Sequence, residues 1–368
     1  MNERIKVSGW NFLLIPIVLI FSGVHQLAAQ TLPDKILLKD YRPKSIYEIP
    51  KTVVMKAKYP IIDMHTHPYA RTSEEVKAWL RNMDEIGVQK SIVLTAATGA
   101  KFDSIYALYA PYPDRFEIWC GFDYTGYDKP GFGPAAVAEL ERCAKLGAKG
   151  VGELGDKGKG LFYSKPTKAW GMHLDDPRMD PLLEKCAELG LPINIHVGEP
   201  LWFYEPMDST NDGLMSAFDW RLDNQKGIVD LNGMIDILVR TLQRHPKTMF
   251  VACHLANLNH DLNRLGSILD QYPNLYADIS ARFAEFATIP RYARSFFEKY
   301  QDRVVYGTDL GYDTDMYRIT FRILETNDEH FYEVDQLQYH WSLYGLGLDE
   351  PVLEKMYRKN ALQVLQTK

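Results

Sequence analysis

Metal-binding residue types recur in this sequence at one kind of place, the downstream end of an apolar run. The first case is Ile61-Ile62-Asp63-Met64-His65-Thr66-His67, an apolar strand with His-x-His at its end. Residues two apart on a strand face the same way, so His65 and His67 can aim two imidazoles at one point. Neutral imidazole is the commonest protein ligand for a transition metal. Three later runs end in another ligand-type residue, Glu153, His196 and His254, and a fourth ends at Asp309. A single His-x-His is a weak signal, whereas five strand ends of this kind are a strong one. A catalytic zinc-type site needs about three protein ligands and an open position for water. Such an ion brings the pKa of that water toward neutrality and polarises a substrate oxygen.

The elements that must position these residues are eight apolar runs: Ile61–His65, Ser91–Leu94, Phe116–Gly121, Val151–Leu154, Ile193–Val197, Met249–His254, Leu275–Ile279 and Val304–Gly307. They are rich in Val and Ile and do not alternate, as expected of strands covered on both faces. Between them lie helix-like segments at Glu74–Ile86, Pro134–Leu146, Pro181–Leu189, Leu231–Leu242, Asp261–Leu269 and Tyr292–Tyr300. Pro at the start and Gly after the end of the second and third are the usual helix boundaries. Eight strands alternating with helices is the arithmetic of an α/β fold, the closed (β/α)8 TIM barrel. An open doubly wound sheet normally carries a Gly-rich phosphate turn after its first strand; here that turn reads His-Thr-His-Pro. In a barrel the downstream ends of all strands meet on one face, which would gather His65, His67, Glu153, His196, His254 and Asp309. Arg282 follows the seventh strand on the same face and is the best candidate for a carboxylate clamp.

The connection at 198–230 is abnormally long and carries Trp202, Phe203, Tyr204, Phe218 and Trp220. Long loops of this kind are usually functional or disordered, and so many aromatics argue against disorder. It reads as a lid over the barrel mouth, with Trp202 and Trp220 holding the apolar part of a substrate; the competing reading is a packed surface excursion. Residues 1–29 have a basic start, an apolar stretch from Trp10 to Val24 too short for a comfortable membrane span, and small residues at the end. They read as an export signal, giving a periplasmic or secreted protein, with an uncleaved membrane anchor as the alternative. A polar arm at 30–58 precedes the barrel at 59–368. Removing residues 1–29 leaves 40 basic against 47 acidic side chains, a net charge of −7, which disfavours nucleic acid as a partner. A small-molecule substrate is expected, and a homo-oligomer is compatible with the composition. Cys120, Cys143, Cys186 and Cys253 form no C-x-x-C pair and read as buried thiols.

Four segments, Ile62-Asp63-Met64-His65-Thr66-His67, Ile195-His196-Val197, Val251-Ala252-Cys253-His254-Leu255-Ala256 and Tyr306-Gly307-Thr308-Asp309, resemble the amidohydrolase superfamily, in its amidohydrolase-related (amidohydrolase family 2) branch. The resemblance covers roughly residues 59–368. It implies that His65, His67, His196 and Asp309 are direct ligands of a divalent metal, zinc first and manganese second, present as one ion or two. It implies that Asp309 also shuttles a proton, and that His254 ligates a second metal or donates to the substrate oxygen. Val151-Gly152-Glu153-Leu154 lacks the bridging Lys of two-metal relatives and looks like the Glu of TatD-like nucleases and phosphotriesterase relatives. Glu153 is thus a candidate ligand, its alternative being a structural pair with Lys157.

By the same resemblance the chain would be a metal-dependent hydrolase in which activated water attacks an ester, lactone or amide carbonyl. The same branch contains lyases, decarboxylases or hydratases of aromatic or unsaturated acids, and these are the second reading. The third is a catalytically inactive ligand-binding barrel, disfavoured because all the strand-end residues are present.

Overall fold

The computed structural model describes residues 32–163 and 167–366. The export signal expected at 1–29 lies outside the described residues. The chain divides into two units, 1–41 and 42–368. The described part of the first consists of two short 3-10 turns, Pro33–Lys35 and Leu38–Asp40.

In the second unit all eight expected strands form: β1 Ile61–Thr66, β2 Val88–Leu94, β3 Phe116–Trp119, β4 Val151–Asp156, β5 Ile193–Val197, β6 Phe250–Ala252, β7 Leu275–Asp278 and β8 Val304–Val305. Every neighbouring pair is parallel, in the order β1-β2-β3 and β4-β5-β6-β7-β8. Backbone hydrogen bonds join the two groups at both edges. Gly152 N–H donates to Cys120 O at 2.8 Å, and Met64 N–H donates to Tyr306 O at 3.0 Å. The result is the (β/α)8 TIM barrel. Ile62, Met64, Ile92, Leu94, Trp119, Val251, Tyr276 and Val305 form one inner cluster, closed from below by Ala361 and Val364 of the C-terminal helical segment. Side chains of opposite parity, such as Ile61, Val93 and Tyr306, pack outward on the helices.

The eight longest helices are α1 Ser73–Ile86, α2 Gly99–Tyr109, α3 Pro134–Leu146, α4 Asp180–Leu189, α5 Leu231–Arg244, α6 Leu262–Gln271, α7 Pro290–Lys299 and α8 Thr314–Glu325. Helix α1 opens on a capping box between Thr72 and Glu75 and closes on Gly87 in the left-handed region, the conformation glycine adopts without a Cβ penalty. Its buried residues Val76, Trp79, Met83 and Ile86 follow the helical period. Helices α2 and α8 go beyond the six expected segments. Phe102, Ile105, Tyr106 and Tyr109 lie at helical spacing in α2, and the alternation of helix with strand is complete.

The loop between β5 and α5 is ordered by its own small core of Phe203, Ala217 and Leu222, with Trp202, Tyr204, Met207 and Ile228 against it. Thr52 is tied to Asp328 through both its N–H and its hydroxyl. The four cysteines are free thiols and buried. Among the described residues no helix is long and apolar enough to cross a membrane.

Candidate metal centre

Three backbone features place the site. The pairing of β1 with β2 slips by one residue between Asp63 and Thr66. Asp63 accepts from Thr308 Oγ1 at 2.6 Å and Tyr317 Oη at 2.7 Å, while His65 and His67 reach the barrel mouth. After β6 the chain turns through four left-handed residues, His254 to Asn257, with φ between 53° and 59°. Sequence periodicity carried that strand to His254; it stops two residues earlier, and the turn delivers His254 to the others. After β8, Gly307 lets the chain pass close to β1, since a Cβ there would stand 2.8 Å from the His65 Cβ. Asp309 N–H then donates to His65 O at 2.9 Å.

His65, His67, Glu153, His196, His254 and Asp309 come together in one cluster. His65 lies 5.3 Å from His67 and 5.0 Å from His254 between ring centres, and His196 lies 4.6 Å from His254. The Nε2 atom of His67 is 3.0 Å from Asp309 Oδ1 and 3.4 Å from Glu153 Oε2. The Nε2 atom of His65 is 3.8 Å from Asp309 Oδ1 and 3.9 Å from Glu153 Oε2. Glu153 does not pair with Lys157; its Oε1 is 2.8 Å from His196 Nδ1 and 3.6 Å from His254 Nε2.

Neighbours fix the orientation of these rings. The Nδ1–H of His65 donates to Asp278 Oδ2 at 2.9 Å, and that of His67 to Leu94 O at 2.9 Å. Both rings therefore present an Nε2 lone pair to the same two carboxylates. A ligating His typically donates its other N–H to a carboxylate or carbonyl in this way. His254 Nδ1 has Ser280 O and Oγ at 2.9 Å. Asp278, which accepts from His65, Asn194, Ser280 and the His254 N–H, did not stand out in the sequence, although it ends β7 as an acid. Glu199, three residues past His196, was also missed; its Oε2 is 3.5 Å from His196 Nε2.

The electrostatics call for a cation. Burial opposes charge on His65, yet Asp278, Asp309 and Glu153 outweigh it and raise its pKa to about 9. His67 is driven well up by Asp309 and Glu153 against the same burial. Burial likewise opposes ionisation of Glu153 and Asp309, but the surrounding histidines hold both below the usual carboxylate range. His65 Nε2 and His196 Nε2 are buried with no hydrogen-bond partner among the described residues. Ligand atoms of His65, His67 and Asp309 lie within 4.8 Å of one another, as do those of His65, Glu153, Cys253 and His254. Imidazole nitrogens and carboxylate oxygens in this proportion fit a divalent zinc- or manganese-type ion. Cys253 is a poor member of the set, because burial and three nearby carboxylates push its thiol pKa well up, and its S–H donates to Asn194 Oδ1 at 2.8 Å.

A cavity of about 830 Å³ opens onto His67, Glu153, His196 and Asp309. Trp220 lines it. Trp202 does not; it packs beside Trp341 at 5.7 Å and Tyr339 at 6.3 Å, where it helps hold the loop. Arg282 does not either. It is buried, donating to Asn257 Oδ1 at 2.7 Å and to Ala281 O at 2.9 Å, with Glu285 Oε1 at 3.4 Å. A guanidinium needs several acceptors once desolvated, and the left-handed turn at Asn257 supplies one inside the protein.

The family model described as Amidohydrolase (Amidohydro_2) matches residues 60–367. No curated protein gives a significant match. Among solved structures, a putative amidohydrolase from Staphylococcus aureus is similar at 17% identity with a TM-score of 0.54, over 83% of this chain and 99% of that one. An uncharacterised TIM-barrel protein from Bordetella bronchiseptica is 15% identical, TM-score 0.52, over 84% and 99%. A dihydroxybenzoic acid decarboxylase from Polaromonas sp. JS666, solved with manganese and the inhibitor 2-nitroresorcinol, is 14% identical, TM-score 0.51, over 84% and 97%. At these identities the likeness is one of fold.

Proposed function

The chain belongs to the amidohydrolase family, and from that premise we propose that it is a metal-dependent hydrolase of a small ester, lactone or amide, with Asp309 as its proton shuttle. The observation that carries this reading is the position of Asp309. Its Oδ1 faces His67 Nε2 at 3.0 Å, its Oδ2 faces His254 Nε2 at 3.8 Å, and the carboxylate borders the cavity. His65, His67, His196 and Asp309 would hold a divalent ion, with Glu153 and His254 completing one site or supporting a second. Bound there, the ion would bring a water toward neutral pKa and polarise the substrate's carbonyl.

The chain's own groups do the rest. Asp309, kept ionised by its histidines, accepts a proton from the attacking water and returns it to the leaving group. If His254 is not itself a ligand, it can donate to the substrate oxygen only as a protonated ring, because its Nδ1–H is already given to Ser280 O. Asp278 and Leu94 O keep the His65 and His67 rings turned the right way. The loop after β5, with Trp220 at the cavity, shields the site from bulk water.

A second reading, a lyase acting on an aromatic or unsaturated carboxylic acid, draws support from the cavity wall, where Tyr163 and Trp220 offer ring surfaces. The fold-level likeness to decarboxylases is compatible with it. The test is a product assay with zinc- and manganese-loaded protein on p-nitrophenyl esters, lactones and aromatic acids. Ester or lactone cleavage supports the hydrolase, and CO2 release supports the lyase. Loss of neither activity in Asp309→Asn would sink both. The leader-like character of residues 1–29 supports export, which N-terminal sequencing of the mature protein tests; a chain still beginning at Met1 in the membrane fraction would mean an anchor.

A further inference from the structure

Lys157 is a cation in an unusual position. It lines the same cavity as His67, Glu153, His196 and Asp309, and its side chain is only 15% exposed. Its ammonium lies over the Tyr163 ring at 4.8 Å and the Trp220 ring at 5.2 Å. An ammonium has three N–H donors. Among the described residues only one oxygen ligand faces it, Glu199 Oε1, with which it forms a close ion pair. Ring faces attract the charge but do not replace the missing acceptors. The remaining ammonium donors open to the cavity, within reach of a second anion entering there.

The loop carrying Lys157 is held rigidly. Asp156 Oδ1 accepts the N–H groups of Gly158 at 3.0 Å and Gly160 at 3.1 Å, and its Oδ2 takes His173 Nδ1–H at 2.7 Å. A Cβ at Gly158 would stand 2.4 Å from Val229 O, so this loop and the end of the aromatic loop pass in direct contact, with Val229 N–H donating to Gly158 O at 2.9 Å. Glu199, between Lys157 and His196, puts the ammonium one carboxylate away from the proposed metal ligands.

We propose that Lys157 is the substrate's docking residue, receiving a carboxylate on a compact apolar body, with Glu199 as the strut that fixes the ammonium relative to His196. A single anionic group is indicated because one ammonium is available at this depth. An apolar body is indicated because Pro68, Ile105 and Leu108 contribute apolar wall beside it. The proposal rests on the cavity being the active site and names the group by which the substrate is recognised.

The experiment is calorimetric binding of benzoate, phenylacetate and the neutral isostere benzamide to zinc- or manganese-loaded full-length protein, with metal content measured in each preparation. Wild type should bind a carboxylate and reject benzamide. Lys157→Gln should weaken carboxylate binding about tenfold or more, the scale of one charge-assisted hydrogen bond, at unchanged metal content. Lys157→Arg should restore most of it. Because Lys157→Gln leaves Glu199 buried without its cation, Lys157→Gln/Glu199→Gln removes both charges and serves if the single variant does not fold. Arg71→Gln and Lys101→Gln, at the other cations of the cavity wall, should bind as wild type.

Equal binding of benzamide, no binding of either carboxylate to wild type, or a loss that follows Arg71 or Lys101 instead would overturn the proposal. Lys157-dependent binding in a protein that takes up no metal would uphold it while defeating the metal reading. A metal-loaded protein indifferent to Lys157 would do the reverse.

Discussion

Replacing Asp278 by Asn changes one atom and should cost the protein much of its metal affinity. The carboxylate divides its work between two oxygens. Oδ1 accepts the N–H groups of His254 at 2.8 Å and Ser280 at 3.1 Å, together with the Ser280 hydroxyl. Oδ2 accepts His65 Nδ1–H at 2.9 Å and Asn194 Nδ2–H at 3.3 Å. An amide has one oxygen, and the three donors at Oδ1 would claim it. Its NH2 would then face His65 Nδ1. Meeting that donor moves the ring's proton to Nε2, the nitrogen aimed at Glu153 and Asp309, with the Ser280 hydroxyl, 3.0 Å from His65 Nδ1, the one competing acceptor for Nδ1–H. The lone pair offered to a metal is lost. Asn194 cannot flip to help, because its Oδ1 already accepts from Cys253 at 2.8 Å. Losing such an orienting partner typically lowers metal affinity by about 10- to 100-fold, or roughly 1.4–2.8 kcal/mol. Competition with a chromophoric chelator for zinc and manganese reads the loss, and circular dichroism checks that the barrel has folded. A folded Asp278→Asn protein with wild-type metal affinity would refute the orientation assigned here to His65.

Asp309→Asn should keep the fold and most of the metal while kcat falls by about a hundredfold or more, the scale of general acid–base catalysis; steady-state kinetics beside metal analysis checks this. His254→Asn should lower metal stoichiometry if His254 is a ligand and leave it unchanged, with activity reduced, if it holds the substrate. Trp220→Ala should raise KM with metal retained. Trp202→Ala should instead lower stability by about 1–2 kcal/mol, less than the loss at a fully buried Trp, seen as an earlier thermal transition. In metal-free protein the protonated His65, with its pKa raised from 6.5 to about 9, contributes stability that is whole below about pH 6.5 and is lost as pH rises through about 9. Melts in chelator should therefore fall across that window, and metal, which needs the unprotonated ring, should bind more tightly across it.

The ligand cluster was legible because a parallel barrel converts strand order into spatial proximity: five strand ends bearing His, Glu or Asp had one place to meet. The eight strands were legible as apolar runs covered on both faces. What escaped depends on contacts that sequence does not carry. Asp278 looks like any strand-ending acid until the bulge in β1 brings His65 against it. Arg282 sits on the correct face, but its guanidinium turns inward to Asn257, whose left-handed backbone no periodicity would foretell. Trp202 and Trp220 are indistinguishable in composition, and only the loop's private core separates the structural ring from the cavity ring. Helix α2 buries only Phe102 and Tyr109, too few and too aromatic to make a clear apolar stripe.

The C-terminal segment beneath the barrel sets the order in which the protein can finish folding. Ala361 and Val364 complete the inner cluster, Met356 O accepts the Tyr306 N–H at 2.9 Å, and β8 itself closes on β1. The chain emerges from the ribosome with its first strand and half of its ligands made early, but Ala361 and Val364, which complete the inner cluster, follow much later in the sequence. Until then the floor of the inner cluster is incomplete, and such contacts between distant parts of a sequence form slowly. A nascent chain would hold His65 and His67 before Asp309 is made, so assembly of the full ligand set waits for the eighth strand. Deletions at this end would act as core mutations, however far they lie from the chemistry.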